Sequence, residues 1–123
     1  GRRRAIGYSI GIFFDTFANA ETDDPSNNYV GVYAFGRPER AKWPPPRQGV
    51  SPRLRVDLKN GEEHEARIRF APPVLEVQLD GETVLVTSVD LRGAADNEGK
   101  AWVGFTAATG SGWGNHEILR WDF

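Results

Sequence analysis

The chain has 123 residues, the length of one domain, and its 39% hydrophobic and 26% charged content is typical of a folded globular protein. A net charge of −2 gives no indication of nucleic-acid binding, and no apolar run approaches the ~20 residues that a membrane span needs. Because cysteine is absent, disulfides, thiolate zinc sites and cysteine nucleophiles are excluded. Residues 1–7, which include three arginines, are predicted to form a solvated basic tail.

Apolar residues alternate with polar ones, or form short apolar runs, along nearly the whole chain. This period of two is typical of β-strands, and no window keeps a helical period over three turns. Trp121 and Phe123 alternate with polar neighbours and are predicted to be core residues. In chain order, the predicted strands are residues 8–15, 29–35, 54–59, 65–70, 74–79, 83–88, 101–107 and 116–123. Eight antiparallel strands predict an all-β sandwich in a single domain.

The turn residues between these strands predict how they connect. Asn60-Gly61 and Asp80-Gly81 each separate two strand patterns, and such dipeptides adopt the positive φ angles of tight hairpins. Residues 36–52 contain Trp43-Pro44-Pro45-Pro46 and are predicted to be a stiff, proline-rich surface loop. The alternative for this segment is a recognition motif for a proline-binding domain.

Oxygen ligands follow the first predicted strand at alternate positions: the Asp15 carboxylate, the Phe17 carbonyl and the Asn19 amide. A hard cation such as Ca²⁺ prefers several oxygens from carboxylates, amides and backbone carbonyls. A strand that leads into an acidic loop supplies such a set, so we predict a calcium site here. The alternative is a turn closed by side-chain-to-backbone hydrogen bonds without a metal.

Two stretches of the chain resemble the L-type lectins, the family of legume seed lectins and animal secretory-pathway cargo lectins. The first runs from Ser9 to Asn19 and continues through Asp24-Pro25 and Tyr29-Val30-Gly31-Val32; the second is Val103-Gly104-Phe105-Thr106-Ala107-Ala108-Thr109-Gly110 with His116-Glu117-Ile118-Leu119-Arg120-Trp121-Asp122-Phe123. The resemblance implies a concanavalin-like jelly-roll sandwich that binds glycans and does not catalyse a reaction. It also implies a secreted or secretory-pathway location.

The resemblance implies a calcium ligand set residue by residue. Asp15, the Phe17 carbonyl and Asn19 would bind Ca²⁺ together with one aspartate of the Asp23-Asp24 pair. The Asp-Pro dipeptide favours Asp24, whereas the spacing from Asp15 favours Asp23. A second, transition-metal site is expected to be absent, because the residues at its ligand positions are Phe13 and Tyr29.

The resemblance also implies which residues contact the sugar. The Phe17 ring would lie under the apolar face of a pyranose, and the Asn19 amide would face a sugar hydroxyl. A glycine-rich loop would offer backbone N–H groups, since glycine permits close approach. Trp113 would add a stacking wall, or would pack on the rim of the sandwich instead. The expected loop residues are Gly110, Ser111, Gly112 and Trp113.

The matching stretches correspond to the second half of the family pattern, so the sandwich is expected to be incomplete in this chain. Missing strands expose edges, and we therefore expect a homo-oligomer or a complementary chain that completes the sandwich. The chain would be a piece of a processed lectin, a compact homologue that dimerises, or a minimal domain without sugar binding. The second functional hypothesis is thus a structural association module. A glycoside hydrolase of related fold is less favoured, because Glu62, Glu63 and Glu65 flank a turn rather than a cleft.

Overall fold

The computed structural model describes residues 8–16, 26–35, 46–107 and 117–122, and its architecture is almost entirely β. Apart from a short 3-10 helix at Arg92–Ala94, the regular elements of these residues are strands. No helix in the described part of the chain is long and apolar enough to cross a membrane. The strands are β1 (Ser9–Asp15), β2 (Tyr29–Phe35), β3 (Arg47–Val50), β4 (Ala66–Ala71), β5 (Val74–Leu79) and β6 (Glu82–Ser88).

The six strands form two antiparallel sheets, a first sheet in the order β1-β2-β3 and a second sheet in the order β4-β5-β6. The sheets share one apolar core, and the Thr87 hydroxyl of β6 donates to the Gln48 carbonyl of β3 over 2.8 Å. This architecture confirms the prediction of an all-β sandwich. The buried members of the core are Val30, Val32, Leu54, Leu75, Val77, Leu79, Leu85 and Val89.

The period-two pattern divides the first sheet into two different faces. Ile12 and Phe14 stand opposite Val32 and Val30, and these side chains pack into the core. The alternate residues lie on the other face, where aromatic rings gather. The Phe13 and Tyr33 ring centroids are 5.0 Å apart. The residues that share this second face of β1 and β2 include Phe13, Asp15, Tyr29, Gly31, Tyr33 and Phe35.

The hairpin predicted at Asp80-Gly81 is confirmed. The turn joins β5 to β6, with Leu79 opposite Glu82, so the loop has two residues. Asp80 has φ +51° and Gly81 has φ +82°. Positive φ at both central residues matches the twist of the flanking strands, which explains why an Asp-Gly pair stands here. The strands predicted at 65–70, 74–79 and 83–88 are found within one residue of their bounds.

The strand predicted at 54–59, and with it the hairpin at Asn60-Gly61, is wrong. The segment is irregular, and the Asn60 amide closes a local turn on the Asp57 carbonyl over 3.1 Å. The physical reason is the side chain of Asn28, which is distant in the sequence. The Asn28 amide group donates to the Leu54 and Val56 carbonyls over 3.2 and 2.7 Å, and therefore satisfies groups that a neighbouring strand would have bound.

The loop predicted at 36–52 also needs a correction, because Arg47–Val50 forms strand β3. This strand pairs with the side of β2 that faces away from β1, and the pairing has a bulge between Val32 and Tyr33. Backbone bonds continue the pairing at both ends, from the Ala34 amide to the Pro46 carbonyl and from the Ser51 amide to the Val30 carbonyl. Pro46 takes part because a proline still accepts through its carbonyl. Residues 36–45 lie outside the described part.

The last two predicted strands are not found in the described residues. Residues 101–107 and 117–122 have no regular secondary structure. Trp121 is 44% exposed, so its assignment to the core is wrong, while Phe123 lies outside the described residues. An apolar alternation makes a strand only where a partner strand satisfies its backbone, and no described strand pairs with either segment.

Candidate functional site

Asp15 is the predicted calcium ligand that the structure describes, and it stands at the last position of β1. The side chain is half-buried on the aromatic face of the first sheet. It lies directly opposite Tyr29, whose hydroxyl donates to Asp15 Oδ2 over 3.4 Å. The carboxylate is thus presented where the chain leaves the sheet and enters residues 17–25.

A second hydroxyl supports this contact. The Tyr29 and Tyr33 side chains are buried, and their hydroxyl oxygens are 3.2 Å apart. Because an ionised carboxylate only accepts, Tyr29 donates to Asp15 and Tyr33 donates to Tyr29. Two tyrosines on one strand therefore form a chain of donors that ends on Asp15. Nothing in the period-two pattern indicated this role for Tyr33.

Gly31 provides the space that the two tyrosines need. It faces Phe13 across the sheet, between Tyr29 and Tyr33 on the same strand face. A Cβ atom at this position would lie 2.7 Å from the Tyr33 ring and 3.2 Å from the Tyr29 ring. Cβ atoms in real proteins do not come as close as 2.7 Å to another atom, so a neighbouring ring would have to move. Any larger residue at position 31 would thus displace the two tyrosine rings, and with them the Tyr29 hydroxyl that reaches Asp15.

Two residues of this sheet, Phe13 and Tyr29, stand at the positions where the resemblance would place ligands of a second metal. Both have other roles here. The Phe13 ring packs 5.0 Å from Tyr33 and 6.2 Å from Phe35, measured between ring centroids. Aromatic pairs at this spacing gain energy beyond the burial of their area. Tyr29 directs its hydroxyl to Asp15. These two positions therefore provide packing and a hydrogen-bond donor.

Asn28, a buried residue directly before β2, is a structural feature that the sequence interpretation missed. It accepts from the Leu58 amide through Oδ1 over 3.1 Å and donates to the carbonyls of Leu54 and Val56. Its own carbonyl accepts from the Leu54 amide over 2.9 Å. Asn28 thus fixes the chain entry into the strand that carries Tyr29. The Asn27-Asn28 pair before an apolar run was the available signal.

The segments on either side of the expected sugar-binding loop lie next to each other. Phe105 precedes the loop and Trp121 follows it, and their rings meet edge to face with centroids 4.8 Å apart. The two segments line a shallow surface cavity of about 410 Å³ that is open to solvent. The contact between the rings joins the described segments 101–107 and 117–122. The cavity is lined mainly by Val103, Phe105, Ile118, Leu119 and Trp121.

Most of the predicted site lies outside the described residues. Among the residues that are described, no three aspartate, glutamate, histidine or cysteine side chains gather as a metal site would require. Asp15 is therefore the one predicted ligand whose surroundings are known. The predicted residues outside the described part are Phe17, Asn19, Asp23, Asp24, Gly110, Ser111, Gly112 and Trp113.

Two carboxyl groups have lowered pKa values, but they stabilise turns and do not indicate a functional site. The Arg92 side chain lowers the pKa of Asp90 to about 2, and both residues are exposed. A backbone hydrogen bond from Glu65 and then the His64 side chain lower the pKa of Asp80. Structural ion pairs shift pKa values as functional sites do, so these shifts have local explanations.

The comparisons with known proteins agree on one family. The model of the legume lectin domain matches residues 8–123. The chain is also similar to a "Probable L-type lectin-domain containing receptor kinase I.2" of Arabidopsis thaliana, at 30% identity over 93% of this chain and 18% of that protein. The "L-type lectin-domain containing receptor kinase VII.1" of the same plant is 30% identical over 93% of this chain and 18% of its own length.

The chain spans about a fifth of the length of the curated relatives it matches, since the coverage is 18 to 20%. No solved structure matches the chain. The family model, in contrast, extends from the first described residue, Tyr8, to the last residue of the sequence. With nearly the whole sequence matched, the chain belongs to the legume lectin domain family.

Proposed function

We propose that this domain is a calcium-dependent carbohydrate-binding module that acts outside the cell and catalyses no reaction. The observation that carries the proposal is Asp15, a carboxylate placed at the end of β1 and oriented by the Tyr29 hydroxyl over 3.4 Å. Membership of the legume lectin domain family supports binding of glycans. The relatives named as receptor kinases support an extracellular location.

The donor chemistry of the proposed ligands fits calcium. Asp15, the Phe17 carbonyl, Asn19 and either Asp23 or Asp24 offer only oxygen atoms, as a hard cation prefers. When bound, calcium would hold this segment in one conformation. The contribution of the described residues is to keep the Asp15 carboxylate in position before the ion arrives.

The sugar would contact residues of the calcium-binding segment and of the glycine-rich loop later in the sequence. Phe17 and Asn19 would provide an apolar ring and an amide. The loop from Gly110 to Trp113 would provide backbone N–H groups and an indole ring. Such a site is shallow, so we expect a single-sugar Kd near millimolar, about −4 kcal/mol. Several copies acting together would then give useful avidity.

A calcium titration followed by thermal unfolding tests the metal site. A ligand that binds only the native state at a hundred times its Kd stabilises it by about 2.7 kcal/mol. Calcium should therefore raise the melting temperature of the wild-type protein, and chelation should reverse the shift. Asp15→Asn should abolish the shift. Asp57→Asn, a change in an exposed turn where Asp57 Oδ1 accepts from the Lys59 amide, should keep it.

A glycan array with and without calcium tests the sugar site. We expect binding that needs calcium and is lost in Asp15→Asn. An array that stays blank at saturating calcium would refute carbohydrate binding even if the melting temperature shifts. Release of reducing ends from a bound glycan would instead show a hydrolase and refute the non-catalytic assignment.

A second candidate function, association with another protein chain, is favoured by a separate observation. Among the described strands, β4 lies at the outside of the second sheet, and all six of its residues are exposed. An unpaired strand edge is a template for pairing with another chain.

A further inference from the structure

The Asn60-Gly61 pair, which does not form the predicted hairpin, lies in an irregular turn ahead of β4. Both residues are exposed in the described part of the chain. Gly61 has φ +77°, and a Cβ atom at this position would meet no atom of the described residues within 4 Å. Asn60 is the only asparagine of the sequence that glycine follows. Because glycine has no side chain, its backbone nitrogen can approach the preceding carboxamide closely.

Two donors reach the side-chain oxygen of Asn60. The backbone N–H of Glu62 donates to Oδ1 over 2.8 Å. The Nε2 atom of His64 lies 2.9 Å from the same atom. The Glu62 contact identifies this atom as the oxygen of the carboxamide and not its nitrogen, so the His64 ring must also donate to it. The carboxamide oxygen therefore has a backbone donor and a ring donor.

Asp80 holds the His64 ring in this orientation. Its Oδ2 atom lies 2.8 Å from His64 Nδ1, and the histidine side chain is only 15% exposed. An ionised carboxylate only accepts, so Nδ1 donates to Asp80 while Nε2 donates to Asn60. A ring that donates from both nitrogens is positively charged, and a charged donor forms a stronger hydrogen bond than a neutral one. The β5–β6 turn thus directs a charged donor at Asn60 Oδ1.

We propose that Asn60 is a site of spontaneous deamidation and that this turn accelerates the reaction. The Gly61 nitrogen loses its proton to hydroxide and forms a bond with Asn60 Cγ, which turns Oδ1 into an oxyanion. The two donors stabilise negative charge on this atom, as the donors of an oxyanion hole do. The bond from Cγ to Nδ2 then breaks, and Nδ2 takes a proton from water and leaves as ammonia. A succinimide ring remains.

Water completes the modification by opening the ring at one of its two carbonyl carbons. Aspartate forms at position 60 when the bond from Cγ to the Gly61 nitrogen breaks. Isoaspartate forms when the backbone carbonyl carbon releases that nitrogen instead. In both products a water has replaced an ammonia, and a new carboxylate lies beside the charged His64 ring. Isoaspartate also lengthens the main chain by one carbon ahead of β4.

Mass spectrometry of the folded protein, incubated in neutral buffer, measures the conversion. The protease Asp-N cleaves before aspartate and releases residues 57–79, in which Asn60 is the only asparagine. It also cleaves between residues 59 and 60 of the aspartate product, and it leaves the isoaspartate product intact at that bond. The two products are therefore counted separately, and their sum gives the rate at Asn60.

Two variants test the ring donor. His64→Ala removes it and should slow the conversion in the folded protein about tenfold, equivalent to about 1.4 kcal/mol of transition-state stabilisation. His64→Gln provides a neutral N–H in place of the charged one, and its rate should fall between. The matched control, Glu63→Ala, changes an exposed side chain of the same turn and should keep the wild-type rate. In urea that unfolds them, all four proteins should convert at one slower rate, because the two donors are no longer in place.

Three results would overturn the proposal. A wild-type protein that converts no faster when folded than in urea would show that the turn does not accelerate the reaction. A folded His64→Ala variant that converts as fast as the wild type, or faster, would show that the ring is without effect or protects the amide. A His64→Gln rate as low as that of His64→Ala would assign the effect to packing of the ring. A blank glycan array would leave the proposal standing, because the reaction involves neither calcium nor a sugar.

Discussion

Asn28 shows how one side chain replaces a strand in organising this domain. The carboxamide spans the gap between the start of β2 and the segment around Val56, with bonds of 2.7 to 3.2 Å to three backbone groups. A buried backbone group left without a partner costs about 1–3 kcal/mol. The irregular path of this segment therefore depends on a single residue that is far away in the sequence.

We predict that Asn28→Ala lowers the free energy of unfolding by roughly 3 kcal/mol, since it leaves several backbone groups without their partner. Asn28→Asp should cost at least as much, because it keeps the acceptor for the Leu58 amide but replaces the amide donors with a buried carboxylate oxygen that faces two carbonyl oxygens. Urea unfolding measures both changes. The matched control is Asn27→Ala, which removes one exposed contact from Arg53 and should change the stability by less than ~0.5 kcal/mol. Equal losses at positions 27 and 28 would contradict this account.

Tyr29 is the residue through which the aromatic face would act on calcium binding. Its hydroxyl contacts Asp15, and Tyr33 donates to that hydroxyl from behind. Tyr29→Phe keeps the ring and removes the donor, so we expect a calcium Kd about fivefold higher, equivalent to about 1 kcal/mol. Isothermal titration with calcium measures it. Tyr33→Phe should have a smaller effect, and an unchanged Kd in Tyr29→Phe would show that the hydroxyl does not position Asp15.

At the scale of an element, the β5–β6 hairpin is tied to the segment before β4 through Asp80. Asp80 Oδ1 accepts from the Glu65 amide and Oδ2 lies 2.8 Å from His64 Nδ1. His64 Nε2 in turn lies 2.9 Å from Asn60 Oδ1. The turn residue thus stabilises two connections, its own hairpin and the approach to β4.

This arrangement predicts an acid sensitivity with a defined direction. The Glu65 amide and then the His64 side chain lower the pKa of Asp80 below its ordinary value of 3.8. A lowered folded-state pKa means that the ionised carboxylate stabilises the protein above pH 3.8, and that this contribution is lost as the pH falls through the lowered value. Asp80→Asn keeps a residue that tolerates positive φ and removes the charge.

Urea unfolding of the wild-type protein and Asp80→Asn between pH 3 and pH 6 measures the effect. The stability difference should be constant above about pH 4.5 and should shrink towards pH 3 as the wild-type carboxylate becomes protonated. A difference that stays constant down to pH 3 would show that the carboxylate charge does not contribute.

The elements that could be predicted are those whose evidence is local. The β5–β6 hairpin follows from period-two alternation on both sides of an Asp-Gly turn, and β2 has the predicted bounds. Segment 54–59 has the same alternation, yet its backbone binds Asn28 instead of a strand. β3 could not be predicted because its four residues show no alternation, and among the described strands it pairs with β2 alone.

In the candidate site, too, the residues that could be predicted are those whose evidence is local. Asp15 could be predicted because its ligand chemistry and its position at the end of a strand are both visible in the sequence. Tyr33 could not, because its role depends on the register that brings its hydroxyl to Tyr29 and on the space left by Gly31. The roles that the sequence hides are those set by pairing between strands.

At the scale of the whole molecule, the two sheets depend on each other through one core. Val30 from the first sheet and Val77 from the second are fully buried in the same cluster. A small sheet gains independent stability only when its apolar face is covered. Each three-stranded sheet of this domain covers the other, so we expect one cooperative transition in which both unfold together.

Val30→Ala tests this coupling, because it removes buried methyl groups from the first sheet alone and should cost roughly 2 kcal/mol. If the sheets unfold together, native-state hydrogen exchange should accelerate by the same factor in β2 and in β5, about thirtyfold for 2 kcal/mol. Val77→Ala should give the same result from the other side. Val86→Ala, at a position that is 57% exposed, serves as the control and should change neither rate appreciably. Acceleration confined to β1, β2 and β3 in Val30→Ala would mean that each sheet opens independently and that the shared core does not couple them.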